Sequence, residues 1–296
     1  MMSLRGRPGA YAALAVLALV WGYTWVTIKI ATHDASPFVV AGGRIGVAAI
    51  VLFAVLAATG RSLRPTPFVP TLILGLLQTT GWTLFQTIAV SLAGAGKTAV
   101  LAYTMPFWLA LLAWPLLGER IQGLRWLALA LAAAGLAFVI APLSTSSWLA
   151  DGLAIVAGIS WAASVVWAKR MRARHQLDLL ALTAWQLLWG ALPLLIVMLA
   201  VPGHVHWTTS FVLSMAFLSI LGGALAWFLW MFIVSRLPAG VAGIASLATP
   251  VVGVVAAAIQ LHEIPSTAEL VGIVLIVAAL IVNARPVPAA EEAATV

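Results

Sequence analysis

Side chains able to hold a small solute stand at spaced positions inside long apolar runs of this chain. Trp21 and Trp161 lie 140 residues apart near the middle of two runs, and Pro106 and Pro250 lie 144 apart in two others. An indole offers an N–H donor and a π-face, so several turned inward make a wall for planar, amphipathic molecules. Trp82, Trp185 and Trp227 lie equally deep, as do Trp25, Trp108 and Trp230, with interhelical packing the alternative for each. Gln78, Thr79, Thr80, Thr83 and Gln86 carry polar groups through one run, where Gln78 and Trp82 share a helix face at i, i+4. Such groups face a wet cavity or bond a neighbouring helix. A proline within a run removes a backbone donor and kinks its helix. Beside Pro106 stand Tyr103, Thr104 and Phe107, and beside Pro250 stand Ser246 and Thr249. The candidate substrate-binding set is therefore Trp21, Gln78, Trp82, Tyr103, Pro106, Phe107, Trp161, Trp185, Trp227, Ser246 and Pro250.

Charge is scarce. Arg44 is the one ionisable group well inside a run, a candidate anchor for a substrate carboxylate; the alternative is that it snorkels or ties down carbonyls at a neighbouring helix end. Glu119 and Glu263 fall at helix ends, where they cap adjacent helix N-termini or act as gates. Lys29 and Lys169, also at ends, have room to snorkel. No H-E-x-x-H, no Gly-Lys-Ser/Thr phosphate loop and no acidic pair within a run is present. No catalytic residue, metal ligand set or cofactor is expected, and no enzyme activity. With no carboxylate at mid-membrane depth, a proton relay has no obvious residues, so facilitated movement stands beside coupled export.

The elements that must position these groups are set by composition. Apolar residues make up 64% of the 296, charged ones 8%, and the mean hydropathy is +1.12. A water-soluble domain could not cover its surface with so few charges. Runs of about 20 apolar residues suit a hydrocarbon layer about 30 Å thick as helices and are too long for barrel strands. The turn signals predict ten transmembrane helices at 10–32, 36–58, 68–92, 96–117, 122–142, 149–173, 179–201, 210–236, 240–261 and 267–285. The N-terminal run is longer than a secretory h-region and reads as a retained first span. Residues 287–296 read as a disordered tail.

With the N-terminus in the cytoplasm, Arg5, Arg7, Arg61, Arg64, Arg120, Arg125, Lys169, Arg170, Arg172, Arg174, Arg236 and Arg285 share one side. Lys29 and Lys97 are alone on the other. That asymmetry puts both termini in the cytoplasm and accounts for the +7 charge without nucleic acid, since the basic residues are scattered over short loops. Trp114, Trp126, Trp148 and Trp207, near predicted helix ends, read as interfacial belt residues.

The spacing also reveals a repeat. Trp21 and Lys29 match Trp161 and Lys169, and Pro106 and Glu119 match Pro250 and Glu263. Five helices per half is an odd number, so the second half enters the membrane from the opposite side, related by a pseudo-two-fold axis in the membrane plane. The first repeat spans 1–144 and the second 145–286.

Trp21-Gly22-Tyr23-Thr24-Trp25 through Lys29-Ile30-Ala31 resembles the opening of EamA-type members of the drug/metabolite transporter superfamily. Pro37 through Ala41 with Arg44 resembles its second-helix pattern. Ala99 through Pro106 with Leu116-Leu117-Gly118-Glu119-Arg120 is similar to its fourth helix, repeated from Pro250 to Glu263 with His262 where glycine is usual. The resemblance covers residues 10–285. It implies an inner-membrane transporter of two inverted repeats exporting small metabolites. In its tryptophan content the chain is most similar to the aromatic amino-acid exporters. The expected partners are a small-molecule substrate and the lipid bilayer, with the chain acting as a monomer. Other solutes such as drugs, polyamines or purines, or a non-transporting membrane subunit, are the alternatives.

Overall fold

Uninterrupted apolar runs leave the backbone to satisfy its own hydrogen bonds, and here it does so as helix. The computed structural model describes residues 7–118, 121, 123–140, 148–201, 203–238, 241–242 and 246–284. Glu119 and the tail expected at 287–296 lie outside them. Among the described residues ten longer helical stretches follow in chain order: α1 (Arg7–Asp34), α2 (Pro37–Ala58), α3 (Phe68–Leu92), α4 (Ala95–Leu117), α5 (Leu124–Ile140), α6 (Trp148–Arg174), α7 (Leu179–Ala200), α8 (Thr209–Arg236), α9 (Ala248–Gln260) and α10 (Thr267–Ala284). Among the described residues there is no strand, only an isolated bridge between Ala35 and Val205. Seven of the ten, all but α5, α9 and α10, are long and apolar enough to cross a bilayer; those three carry shorter apolar stretches.

Helix starts follow local chemistry. Ser36 accepts from the Val39 N–H at 3.3 Å and Pro37 opens α2. Asp178 accepts from Ala181 at 2.9 Å to start α7, and Thr208 from Phe211 at 3.0 Å to start α8. Each side chain satisfies one of the donors that a helix start leaves open.

Two irregularities matter for the centre. α3 widens into a π-turn over Gly75–Gly81 and α8 does so over Ile220–Leu225, positions that a shift of 144 nearly superimposes. The first turn brings α3 against α7 so closely that a Cβ on Gly75 would sit 2.8 Å from the Gln186 carbonyl and 2.9 Å from the Gly190 nitrogen. α4 is broken rather than kinked: helix runs over Ala95–Ala102, turns at Tyr103 and Thr104, and resumes at Met105–Leu117. Pro106 cannot donate to the Ala102 carbonyl, so the break falls where that bond is missing. In the second half the helical turn at residues 241–242 and α9 are likewise separate, with a turn at Ser246 and Leu247 before Pro250.

Side-chain bonds fix how the helices run. One face gathers the ends of α1, α3 and α9 with the starts of α4, α6 and α8. Lys29 reaches the Ala93 and Val90 carbonyls, Glu263 the Ala95 and Gly96 amides, Lys97 pairs with Asp151, and Thr208 donates to Asp34. The opposite face gathers the ends of α2, α4, α6 and α8 with the start of α7. There Arg61 pairs with Asp178, Arg170 donates to Leu116 O and Lys169 to Leu237 O. Each helix of the first half therefore runs opposite to its counterpart in the second. The pairings agree: α2 packs on α7, α5 on α10 and α4 on α9, while α1 on α8 and α9 mirrors α6 on α3 and α4. The α2–α7 seam is close because Gly42 faces the Leu194 carbonyl and Met198, and Gly46, one turn on, faces Leu195, the close approach that small residues permit between membrane helices. Large apolar side chains such as Ile50, Leu111, Ile196 and Val274 cover the perimeter, a surface suited to lipid.

Candidate functional site

The sequence left α1, α3, α4, α6 and α8 each with an aromatic residue deep in the bundle, and the fold brings them to one place. Trp161 is fully buried at the centre, with its ring centroid 5.5 Å from Trp21, 4.5 Å from Trp82, 5.3 Å from Tyr103 and 4.9 Å from Trp230. Trp227 stands 5.0 Å from Trp21, and Trp25 closes the cluster against Trp82 and Tyr103. Most of these contacts are edge-to-face, which the ring quadrupoles favour.

Two repeat-equivalent indoles differ in their bonding. Trp21 Nε1 donates at 3.0 Å to Gly222 O, a carbonyl of the α8 π-turn. Trp161 Nε1 has no acceptor, nor has Trp230 Nε1. In α6 it is Ser160 that reaches a π-turn carbonyl, Leu77 O of α3, at 2.7 Å.

Beside the rings lies a cavity of about 10 Å³ lined by Trp21, Thr24, Trp25, Arg44, Ile45, Trp82, Thr83, Gln86, Tyr103, Gly222 and Trp227. That is room for roughly one water, whereas sites that hold small molecules run to hundreds of Å³. The centre is thus closed. Arg44, 5% exposed, enters from α2 and donates from Nη2 to Thr87 Oγ1 at 3.2 Å. The Thr87 proton is spent on Thr83 O at 2.7 Å, so its lone pair faces the guanidinium. Arg44 Nε and Gln86 Oε1 are buried without partners. Among the described residues, larger spaces open near the face where α1 ends. One of about 740 Å³ is lined by Lys29, Asp34, Ser91, Thr208 and their neighbours. Another of about 300 Å³ lies between Gly94, Lys97, Glu263 and Glu269.

Two inverted halves that meet on a shared aromatic centre agree with the comparison to known proteins. The profile of the EamA-like transporter family matches twice, over residues 8–141 and 148–285. The chain belongs to this family. It is similar to "Uncharacterized transporter YoaV" of Bacillus subtilis (strain 168), 28% identical over 276 residues, 90% of this chain and 94% of the relative. It is also similar to a "Probable amino-acid metabolite efflux pump" of Salmonella typhimurium, 29% identical over 292 residues, 94% and 95% of the two chains. A solved crystal structure with 22% identity superposes with a TM-score of 0.74 over 94% of this chain and 96% of that one. The protein is accordingly a multi-pass EamA-like membrane transporter.

Within this transporter the candidate residues fall into three groups. Trp21, Trp82, Tyr103, Trp161 and Trp227 meet at the centre, and Arg44 borders it. Pro106, Ser246 and Pro250 are buried at or next to the turns that interrupt α4 and the segment before α9. The other three sit apart. Gln78 is buried against the Met231 sulfur, Phe107 is half-buried outside the cavity lining, and Trp185 stacks on Trp189 at 5.4 Å beside Phe53. Gln186 of α7 donates to Thr79 at 3.2 Å. Glu263 does cap the start of α4, with both contacts at 3.3 Å. Lys29 and Lys169 cap helix-end carbonyls instead of snorkelling. The candidate set read from sequence left out Thr24, Thr83, Gln86 and Gly222, which line the cavity. The signal for Gln86 was present in the polar file of α3, but Gly222 is found only once the π-turn is seen.

Proposed function

We propose that this transporter exports small amphipathic metabolites, amino acids and compounds derived from them, aromatic ones included, across the cell inner membrane by alternating access. The observation that carries the reading is the meeting of Trp21 and Trp161 from opposite halves at a closed centre. A solute held there is in contact with both repeats, so rocking one against the other exposes it to either side in turn. The name of the Salmonella relative supports the substrate class. Ten spans and cytoplasmic termini, supported by the Lys/Arg asymmetry and the two family matches, and a monomer complete the proposal. Rings that must separate to admit a solute make recognition depend on shape. Burial of one aromatic group contributes up to about 3 kcal/mol, and millimolar binding requires about 4 kcal/mol, weak enough for release.

Counterflow in proteoliposomes holding only the purified chain tests this. Trp21→Ala and Trp161→Ala should impair flux of bulky aromatic solutes more than that of small ones. Equal loss for every solute, with the protein still folded, would show that the rings build the scaffold and not the site.

A further inference from the structure

We infer that the central site takes a solute of net charge −1: an apolar or aromatic body with an anionic oxygen head and a neutral N–H or O–H donor beside it. An α-hydroxy acid or an N-acylated amino acid is the chemical class, in preference to a zwitterion or a cation. This rests on the transporter reading of the same site and narrows its cargo from amino acids in general to the monoanionic compounds derived from them.

The charge count leads to it. Arg44 is 5% exposed and forms no ion pair among the described residues. Among the described residues its one hydrogen bond goes to a neutral hydroxyl, and its Nε is buried without a partner. A guanidinium held this deep without a counter-ion is costly, and deprotonation is not open to arginine. The acids among the described residues that might balance it are engaged elsewhere. Asp34 is bonded to Thr208 and His33, Asp151 to Lys97, Asp178 to Arg61, Glu263 to the start of α4, and Glu269 to Ser266. All five sit at helix ends. The missing negative charge is therefore one the cargo brings, and Nε offers it a charge-assisted donor.

Beside Arg44 in the same cavity, Gln86 Oε1 is buried and accepts nothing. It asks for a donor adjacent to the anionic oxygen. Among lining residues no carboxylate stands ready for an ammonium, so a zwitterion would leave the filled site with an uncompensated positive charge and a monoanion would leave it neutral. Polyamines would add charge to charge.

The sign of the cargo also supplies the driving force. A monoanion is pushed out of a cell whose interior is negative, with an equilibrium ratio of about 50-fold per 100 mV. Export then requires no coupled proton, in keeping with a centre that has no carboxylate to carry one.

Three probes sharing a benzyl group separate the possibilities: phenyllactate (−1), phenylalanine (zwitterion) and phenylalaninamide (+1). Vesicles holding the full chain are loaded with each, and a potassium gradient with valinomycin sets the interior negative. Phenyllactate should leave at least about 10-fold faster than the other two, and only its efflux should rise with the potential. Arg44→Gln should abolish that preference while leaving residual aromatic flux, and Arg44→Lys should restore part of it. If Arg44→Gln does not fold, the voltage response of the unmodified protein decides alone. Phenylalanine moving as well as phenyllactate, with neither responding to voltage, overturns the anion inference and leaves the transporter. No movement of any of the three overturns the transporter reading of this site, and the inference with it.

Discussion

Replacing Trp21 and Trp161 by phenylalanine, one at a time, turns the asymmetry between the two repeats into a measurable energy. The residues are equivalent in sequence, both are buried, 6% and 0% exposed, and both substitutions delete the same atoms, so the packing losses largely cancel in the comparison. What differs is one bond. Trp21 Nε1 satisfies Gly222 O, whereas Trp161 Nε1 satisfies nothing. Removing the partner of a buried polar group costs about 1–3 kcal/mol, and removing a buried donor that has no partner costs no hydrogen bond. Trp21→Phe should therefore be the less stable variant by about 1–3 kcal/mol. Reversible unfolding in mixed micelles, followed by circular dichroism because the substitutions change the intrinsic fluorescence, reads the difference. Stabilities equal within about 0.5 kcal/mol, the usual error of such comparisons, or Trp161→Phe the weaker, would refute the idea that the π-turn carbonyl is held by Trp21 in the resting fold.

Gly75→Leu should lose most folded protein in size-exclusion profiles, since its side chain would meet the backbone of α7 under 3 Å away, while Gly60→Ala, with open space around it but a positive φ, should cost about 1 kcal/mol. Glu263→Ala removes the carboxylate from the start of α4 and should destabilise that end by about 0.5–2 kcal/mol. Because the chain has no native cysteine, a single cysteine at Val100, beneath Glu263, should then react several-fold faster with a water-soluble maleimide; an unchanged rate would show that Glu263 is no part of the closure there. Reporter fusions after Ser146 and after Gln176 should report outside and inside respectively, and the same side for both would end the proposed topology.

Helix positions and the inverted pairing were legible because they depend on length, turn residues and long-range spacing. The runs predicted at 36–58, 68–92 and 179–201 match α2, α3 and α7 to within a residue at each end, and the repeat read from Trp21 and Trp161 agrees with a family match over each half. Rotation was the obscure quantity. A membrane helix apolar on every side gives no periodic signal for which face turns inward. Trp185 and Trp227 therefore looked alike, yet one stacks on Trp189 and the other reaches the centre. The π-turns were invisible for a related reason: an extra residue in one turn shifts the register of everything after it, and only a backbone carbonyl such as Gly222 O records the change. Proline marked where α4 is disturbed, but the distinction between a kink and a full break at Tyr103 lies in tertiary contacts.

The matching wide turns of α3 and α8 also bear on ancestry. A π-turn takes one residue more than an α-turn, so its appearance at corresponding places in both halves is most economically a single insertion made before the gene doubled. A five-helix unit ancestral to both halves would carry this wide turn in its third helix. Fusion let the copies diverge, with a tryptophan on one wide turn and a serine on the other. It also allowed a lone arginine with no counterpart, something two identical subunits could not have encoded.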